Sequence, residues 1–233
     1  MRAVILAGGR GTRLAPYTTV LPKPLMPIGD MPIAELLLRR LAKSDVDHAT
    51  LAVGHLAGLI MAYFAECGDL GLRLDYSLEQ ESLGTAAPIA LVDGLDATFL
   101  VMNGDLLTDL DFPALLRTHR QTGAVATVGV FEREVKIDLG VVEAAEGRIV
   151  GYTEKPEYRF LVSMGVYAFE PDVRAYLSAD EHLDLPDLIT RLLADGLPVA
   201  AHRHEGYWLD IGRPDDYEQA QRDYPELRDR LLN

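Results

Sequence analysis

The sequence predicts an α/β fold of three layers, in which a mostly parallel β-sheet lies between helices on both faces. In the first 130 residues, apolar runs of strand length alternate with amphipathic stretches of helix length, the pattern of consecutive β-α-β units. The strand-like runs read as continuous stretches of Val, Ile and Leu, which is typical of strands that are covered on both sides.

Each predicted helix of this region lies between two predicted strands. The strands are expected at residues 3–6, 49–53, 72–78, 98–102 and 124–130. The helices are expected at residues 32–43, 55–66, 86–92 and 112–121. Asp111 precedes the last of these helices, where an Asp side chain can accept hydrogen bonds from the first free N–H groups.

The alternation of strands and helices changes after about residue 130. Shorter strands are predicted at residues 139–143, 149–153 and 161–169, and helices resume at residues 185–194 and 214–224. Asp184 with Pro186, and Gly212 before Pro214, indicate the two helix starts. The sequence has no six-residue periodicity of the kind that announces a β-helical domain. We therefore expect a single domain over residues 1–233 and no C-terminal β-helix.

The composition argues against two classes of partner. The chain has 22 Lys and Arg residues against 36 Asp and Glu residues, a formal net charge of −14. Such a surface repels nucleic acid and anionic lipid, and no apolar run approaches the roughly 20 residues that span a bilayer. The single cysteine, Cys67, cannot form an internal disulfide, which fits a reducing cytoplasm. We expect a cytoplasmic protein that binds neither nucleic acid nor membranes.

A glycine-rich segment follows the first predicted strand directly. It reads Leu6-Ala7-Gly8-Gly9-Arg10-Gly11-Thr12-Arg13-Leu14. Glycines at this place let backbone N–H groups approach phosphate oxygens without obstruction by a Cβ atom. The segment is neither of two well-known phosphate loops. A dinucleotide-binding fingerprint would need glycine in place of Leu14, and a Walker A loop would need Gly-Lys-Ser/Thr in place of Gly11-Thr12-Arg13.

A lysine between two prolines adds to the positive charge near this loop. Pro22 and Pro24 fix the backbone around Lys23, so its ammonium group is a preset point charge. Residues 1–29 contain four basic side chains, those of Arg2, Arg10, Arg13 and Lys23, and no acidic one. This local inversion of charge suits the binding of a triphosphate. The alternative is a glycine turn with solvated cations.

Two aspartates far apart in the sequence could bind a metal ion. Asp105 closes the motif Asn103-Gly104-Asp105 after the strand predicted at residues 98–102, and Asp210 stands just before a predicted helix. In open α/β sheets, ligands bind beyond the carboxyl ends of the strands. Proteins usually hold Mg²⁺ with one or two carboxylates together with phosphate oxygens and water. Taken singly, each Asp is more simply explained as a turn or cap residue.

Together these motifs resemble those of the sugar-1-phosphate nucleotidyltransferases, the pyrophosphorylase family that makes nucleotide sugars. The resemblance covers nearly the whole chain and is closest to the mannose- and heptose-1-phosphate guanylyltransferases. Its strongest parts are residues 6–14 with Pro16, Pro22-Lys23-Pro24, Leu83-Gly84-Thr85-Ala86, Asn103-Gly104-Asp105, Glu154-Lys155-Pro156, Gly165-Val166-Tyr167 and residues 208–212. It implies a Rossmann-like nucleotidyltransferase fold with a mixed, mostly parallel sheet. The nucleotide-binding part would cover about residues 1–130 and the sugar-phosphate-binding part residues 131–233.

The resemblance also implies a reaction and the residues that perform it. The enzyme would use Mg²⁺ to join a nucleoside triphosphate to a sugar 1-phosphate and release pyrophosphate, and a homo-oligomer such as a dimer is left open. Arg13, Lys23 and Asp105 would be catalytic, and Asp105 with Asp210 would bind Mg²⁺. The nucleotide would be bound by Leu6, Ala7, Gly8, Gly9, Gly11, Thr12, Arg13, Glu79, Gly84 and Thr85. The sugar phosphate would be bound by Asn103, Gly140, Glu154, Lys155 and Gly165.

Glu79 bears on which base the enzyme would use. A carboxylate only accepts hydrogen bonds, and guanine offers two adjacent donors on N1 and N2. Uracil, thymine and adenine present mixed edges that an amide side chain matches better. GTP is therefore favoured, with UTP, dTTP or CTP as alternatives because related uridylyltransferases can carry an acid near this point.

Two other classes of protein are alternatives. A nucleotide-sugar-dependent glycosyltransferase is one, because Asp109-Leu110-Asp111 matches the D-x-D pattern that holds a nucleotide sugar's metal ion. A non-catalytic regulator that binds nucleotide sugars is the other, although it would be expected to lack one of the charged groups. His202 and His204 face the same side of a predicted strand and could form a metal pair, but partly exposed strand histidines are commoner.

Overall fold

The computed structural model describes residues 1–81 and 83–232. In these residues the strands are β1 (Arg2–Ala7), β2 (Pro27–Ile28), β3 (Met31–Pro32), β4 (His48–Val53), β5 (Arg73–Leu78), β6 (Phe99–Asn103), β7 (Leu106–Thr108), β8 (Ala126–Lys136), β9 (Val141–Ala145), β10 (Arg148–Thr153), β11 (Glu157–Phe169), β12 (Val199–His204) and β13 (Trp208–Asp210). The α-helices are α1 (Ile33–Ala42), α2 (Ala57–Glu66), α3 (Phe112–Thr122), α4 (Leu185–Ala194) and α5 (Pro214–Leu232).

The central sheet has seven strands in the described residues, in the order β12-β8-β11-β6-β1-β4-β5. Six of them run in one direction, and β11 is antiparallel to both of its neighbours. The predicted mixed, mostly parallel sheet is therefore confirmed. Leu6 of β1 pairs with Asn103 of β6 and with Ala52 of β4, so the carboxyl ends of these strands lie side by side.

Helices cover both faces of the sheet, as predicted. On one face, α1, α2 and α3 pack against side chains such as Ile5 of β1. On the other face, α4 and two short 3₁₀ helices pack against side chains such as Val4. Val4 and Ile5 are both completely buried, which explains why this strand is apolar at consecutive positions.

A third group of apolar side chains holds the N-terminal segment in place. Leu14 and Met26 flank the stretch that contains Lys23, and they pack with Tyr224 of α5. Leu14 is completely buried, and Met26 is 1% exposed. The segment between them is therefore fixed against α5. No helix among the described residues is long and apolar enough to cross a membrane.

Four predicted elements differ clearly from the structure, and the first is a helix. Residues 86–92, predicted to be a helix, form a shorter 3₁₀ helix at Ala87–Leu91. The N–H groups of Ala86 and Ala87 both donate to the carbonyl oxygen of Leu183, and Pro88 has no N–H to donate. The segment is thus anchored to a distant part of the chain and does not extend as an α-helix.

The last helix does not stop before Pro225. It was predicted to end at residue 224, but α5 continues to Leu232 with Pro225 inside it. Leu227 and Leu231 follow Tyr224 at helical spacing and are buried with it. Burial of these side chains offsets the cost of about 3 kcal/mol that an interior proline imposes.

Strands β8 and β11 are longer than predicted. They were expected at residues 124–130 and 161–169, but pairing continues out to Lys136 with Glu157. The extra residues form a two-stranded ribbon beyond the sheet, and most of their side chains are exposed on both faces. Without a buried face there was no apolar pattern to predict it.

Candidate active site

A cleft of about 450 Å³ opens at the carboxyl ends of the central strands. The loops that follow β1, β5 and β6 form its floor, and the end of β13 forms one wall. The predicted site residues that line it are Leu6, Ala7, Gly8, Gly9, Gly11, Thr12, Arg13, Lys23, Glu79, Gly84, Thr85, Asn103, Asp105 and Asp210. Ligands bind at this position in open α/β sheets.

Four predicted sugar-phosphate residues lie outside this cleft. Gly165 is close to it, because a Cβ atom added there would lie 2.5 Å from Asn103 Nδ2. Gly140 and Glu154 flank the β9–β10 hairpin, where Tyr152 Oη donates to Glu154 Oε2 at 3.1 Å. Lys155 follows with a positive φ of 43° and an exposed side chain. The structure therefore brings Gly165 to the edge of the cleft, and places the other three on the hairpin.

The glycine loop allows close contact with the chain that follows β5. A Cβ atom at Gly8 would lie 2.5 Å from Glu79 Oε1, so a larger residue there would displace this carboxylate. The far end of the loop is held by Thr18 Oγ1, which donates to the carbonyl oxygen of Gly11 at 2.7 Å. The loop then enters a single 3₁₀ turn, Thr12–Leu14. Three of the residues that line the cleft, Gly8, Gly9 and Gly11, have no Cβ atom, which leaves the backbone open to a phosphate.

Glu79 is half-buried at the rim of the cleft. Its N–H group donates to the carbonyl oxygen of Val53 at 2.8 Å, which extends the register of β5 by one residue. Burial raises the pKa of the Glu79 carboxyl, and a hydrogen bond with the backbone of Leu83 opposes that rise. A half-buried acceptor of this kind favours a ligand with N–H donors.

Lys23 and Asp105 form a largely buried ion pair in the cleft. Lys23 lies in the 3₁₀ helix Lys23–Leu25, is 8% exposed and donates through Nζ to Asp105 Oδ2. The other oxygen, Asp105 Oδ1, is buried and has no hydrogen-bond partner in the part of the chain that the structure describes. An unpaired buried carboxylate oxygen is costly. Its position therefore suits a ligand that supplies positive charge.

A short strand pair brings Asp210 to Asp105. β13 pairs with β7 in antiparallel register, with Asp210 opposite Leu106, and the N–H of Ile211 donates to the carbonyl oxygen of Asp105 at 3.1 Å. Burial raises the pKa of the Asp210 carboxyl, and the charge of Asp105 raises it further. Lys23 and Arg13 lower the same pKa, by a smaller amount.

These two carboxylates fit a magnesium ion that shares its coordination with a substrate. Among residues 1–81 and 83–232, no group of three or more His, Cys, Asp or Glu side chains is arranged to hold a metal ion. Mg²⁺ needs few protein ligands, since it usually keeps water and substrate phosphates in its coordination sphere. The unpaired Asp105 Oδ1 and the nearby Asp210 therefore match the donor set of Mg²⁺ bound together with a phosphate.

Sequence reasoning missed Asp184, which lines the cleft together with His182. Asp184 was expected only to start α4, but it makes no side-chain cap bond there. Its Oδ1 accepts hydrogen bonds from Thr85 N at 2.9 Å and from Thr85 Oγ1 at 3.1 Å. Thr85 Oγ1 in turn accepts from Leu185 N at 2.8 Å, so Thr85 caps the helix instead. No sequence pattern links positions so far apart.

The loop before Thr85 requires glycine. Gly84 has φ +88°, a conformation that L side chains rarely adopt, and an added Cβ atom would lie 2.5 Å from the carbonyl oxygen of Leu183. The backbone of this loop therefore packs directly against the segment that precedes α4. Gly84 and Glu79 both line the cleft.

The D-x-D aspartates and the two strand histidines have structural partners. Asp109 accepts hydrogen bonds from Tyr207 N and pairs with Arg230 and His204. Asp111 caps α3 by accepting from Ala114 N at 2.8 Å, as predicted. His202 Nδ1 lies 2.8 Å from Thr118 Oγ1. The two aspartates and the two histidines therefore all contact other side-chain or backbone groups of the fold.

The chain was compared with known proteins. A model of the nucleotidyl transferase family matches residues 2–226. The UTP–glucose-1-phosphate uridylyltransferase of a Synechocystis species is 36% identical over 95% of this chain and 63% of its own length. The mannose-1-phosphate guanyltransferase beta-B of Xenopus laevis is 34% identical over 93% and 62%. The mannose-1-phosphate guanylyltransferase of Mycobacterium tuberculosis is 32% identical over 95% and 64%. The chain thus spans less than two thirds of these relatives.

Two solved structures share the fold over nearly their whole length. A putative glucose-1-phosphate thymidylyltransferase from Bacillus anthracis superposes with a TM-score of 0.76 at 23% identity, over 95% of this chain and 94% of its own. HddC from Yersinia pseudotuberculosis, crystallised with GMP-PN, superposes with a TM-score of 0.74 at 22% identity, over 96% and 99%.

Proposed function

The chain belongs to the nucleotidyl transferase family, and we propose that it transfers a nucleoside monophosphate from a nucleoside triphosphate to a sugar 1-phosphate. The observation that carries this proposal is the shared cleft of Arg13, Lys23, Asp105 and Asp210. Two cationic side chains and a pair of carboxylates suited to Mg²⁺ converge where backbone N–H groups can bind phosphate. Such an arrangement lets two phosphate groups approach each other despite their charges.

The reaction needs charge neutralisation more than a proton acceptor. The nucleophile is an oxygen of the sugar phosphate, which is already anionic because its second pKa is about 6. That oxygen forms a bond to the α-phosphorus of the triphosphate. The bond from the α-phosphorus to the bridging oxygen breaks, and its electron pair leaves with pyrophosphate. Positioning and electrostatic stabilisation supply most of the catalysis in such transfers.

The cleft residues divide this work. The N–H groups of the loop from Gly8 to Thr12 would bind the triphosphate, and Arg13 with Lys23 would neutralise charge on the reacting phosphates. Asp105 and Asp210 would hold Mg²⁺, which supplies positive charge shared between the phosphate oxygens. Lys23 also fixes Asp105 through its ion pair, so the position of the metal ligand depends on it.

We favour GTP as the nucleotide. The Glu79 carboxylate at the rim of the cleft accepts hydrogen bonds only, and guanine presents two adjacent N–H donors to it. The guanylyltransferases among the relatives agree with this choice. UTP is the second candidate, because the Synechocystis uridylyltransferase is 36% identical. dTTP and CTP complete the set to be compared.

We place the sugar phosphate on the side of Asn103. Asn103 lines the cleft and touches Gly165, and the hairpin that carries Gly140, Glu154 and Lys155 is exposed. In this proposal Glu154 accepts hydrogen bonds from the sugar hydroxyls and Lys155 binds the phosphate. The sugar is a hexose or a heptose.

We further propose one nucleotidyltransferase domain that acts in the cytoplasm as a homodimer. Cys67 is a free thiol, which suits a reducing compartment.

Large apolar side chains are exposed on the ribbon and hairpin, a pattern that favours burial against a second copy. They are Leu139, Ile149, Val150, Tyr152, Phe160 and Leu161. Light scattering on the purified protein gives the mass: a monomer would contradict the dimer.

A substrate panel tests the proposed reaction. GTP, UTP, dTTP, CTP and ATP would each be combined with several sugar 1-phosphates and Mg²⁺, and pyrophosphate release measured. We expect at least one pair to react, with GTP fastest, and Lys23→Ala and Asp105→Ala each to lower turnover by at least about 10²-fold. A folded protein that releases no pyrophosphate with any pair would contradict the proposal. Much faster use of UTP or dTTP than GTP would contradict only the assignment of the base.

A further inference from the structure

A second cleft adjoins the one that lies at the strand ends. Its volume is about 410 Å³, and its walls come from the extended part of β8, from β13 and from the start of α5. Arg13 and Asp210 line both clefts. The two spaces therefore meet at a catalytic cation and at one of the two carboxylates suited to Mg²⁺.

Three arginines converge on this second cleft. Arg13, Arg133 and Arg213 all line it, and their side chains are exposed. The ion pairs formed within the described part of the chain include none of the three. Acidic side chains outnumber basic ones in this protein, 36 Asp and Glu against 22 Lys and Arg, so arginines have many possible partners. Three guanidinium groups in one cleft, without an ion pair among the described residues, therefore favour an anionic ligand.

Two acidic side chains also line the cleft, and they do not cancel this charge. Asp216 Oδ2 accepts hydrogen bonds from the N–H groups of Gly212 at 3.1 Å and Arg213 at 2.8 Å, so its carboxylate is turned to the backbone at the start of α5. Asp210 faces Asp105 and the metal position. The guanidinium groups are therefore the side chains that remain available to a ligand.

The arrangement of the first cleft determines which phosphate groups face the second. Glu79 and Gly84 line the first cleft and not the second, whereas Arg13, at the end of the glycine loop, lines both. If the base is bound at Glu79, as in the proposed function on which this inference rests, the β- and γ-phosphates lie towards Arg13. The residues proposed for the sugar phosphate line none of the second cleft's described wall.

We propose that the second cleft binds the pyrophosphate that leaves in the reaction, and that Arg133 and Arg213 are its binding residues beside Arg13. The planar guanidinium group donates two parallel hydrogen bonds to a phosphate. Pyrophosphate takes up the electron pair of the broken bond, so its negative charge grows as the reaction proceeds. Cations placed on its path stabilise it as it departs.

The position of the chain's only tryptophan allows a direct test. Trp208 lines the second cleft, so its fluorescence reports what binds there. Magnesium pyrophosphate would be titrated into the full-length wild type, Arg133→Gln and Arg213→Gln. Each substitution is expected to raise the dissociation constant about tenfold, the effect of losing one charge-assisted hydrogen bond. Arg120 is an exposed arginine of α3, away from the cleft. Arg120→Gln makes the same change in net charge and should change the dissociation constant less than about twofold.

A second measurement separates pyrophosphate from the sugar phosphate. Formation of nucleotide sugar, followed by chromatography, gives inhibition by added pyrophosphate and KM for both substrates. We expect Arg133→Gln and Arg213→Gln to weaken pyrophosphate inhibition about tenfold and to change KM for the nucleoside triphosphate much less. Because both side chains are exposed, the variants should melt at the wild-type temperature.

The outcomes distinguish this inference from the proposed function. Unchanged pyrophosphate affinity in both variants overturns the inference even if the wild type makes nucleotide sugar. A tenfold rise in KM for the sugar 1-phosphate with unchanged pyrophosphate affinity also overturns it and assigns the cleft to the sugar phosphate. Arginine-dependent pyrophosphate binding by a protein that makes no nucleotide sugar supports the site and contradicts the proposed reaction.

Discussion

Lys23→Met removes one half of the ion pair in the cleft and should affect stability and turnover separately. The side chains of Lys23 and Asp105 are 10% and 22% exposed, and Asp105 Oδ1 has no partner among the described residues. Met keeps most of the length of Lys without its charge, so Asp105 is left largely buried and without its cationic partner. Breaking a fully buried pair in this way costs about 3–5 kcal/mol, and we expect about 3 kcal/mol because Asp105 keeps some contact with water.

For a chain of 233 residues, 3 kcal/mol corresponds to a fall of about 6–12 °C in Tm. Asp105→Asn added to Lys23→Met removes the stranded charge and should restore most of that loss. Turnover should stay at least about 10²-fold below wild type in both variants, because both lack the lysine beside the reacting phosphates.

Circular dichroism during heating gives Tm. Chromatography of the nucleotide sugar formed gives turnover. A double variant no more stable than Lys23→Met would refute the reasoning about the buried charge. A folded Lys23→Met protein with near-normal turnover would remove Lys23 from the mechanism, whatever its stability.

Three further substitutions test other parts of the cleft. Asp210→Asn should stabilise the metal-free protein at pH 7, because the folded-state pKa of Asp210 is raised and its charged form therefore opposes folding. The gain in stability should vanish as the pH falls towards 3.8. Equal urea midpoints for the variant and the wild type at pH 7 would contradict this. Glu79→Gln should lower kcat/KM for GTP by about 10–100-fold relative to UTP; an unchanged ratio in competition assays argues against a base contact. Gly84→Ala should lower Tm more than Gly147→Ala. Both glycines have positive φ, but only at position 84 would the added Cβ atom lie against backbone atoms. Similar melting curves for the two variants would show that this close contact is unimportant for stability.

The sequence predicts the layers of the fold and the location of the glycine loop because those features are local. Continuous apolar runs identify buried strands, and glycines directly after β1 must lie at the carboxyl edge of a parallel sheet. The order of the strands is not local. That β11 inserts antiparallel between β6 and β8 depends on pairing between segments that share no pattern.

The convergence of distant residues has the same explanation. Asp210 reaches Asp105 through the pairing of β13 with β7, two strands of three residues each that carry no signal of their own. Thr85 likewise donates two hydrogen bonds to Asp184, 99 positions away. Sequence motifs and the resemblance to a known family pointed to Asp210, Thr85 and Arg13, whereas Asp184, Arg133 and Arg213 came from the structure alone.

In the proposed mechanism, two carboxylates and two cations share one cleft that binds a metal ion and phosphate groups. A crystal structure of the protein with Mg²⁺ and a non-hydrolysable analogue of GTP tests this directly. We predict one Mg²⁺ at about 2.0–2.1 Å from oxygens of Asp105 and Asp210, with the phosphates on the glycine loop and the last of them beside Arg13. Nucleotide bound elsewhere, or a metal ion that neither aspartate touches, would contradict the proposed mechanism.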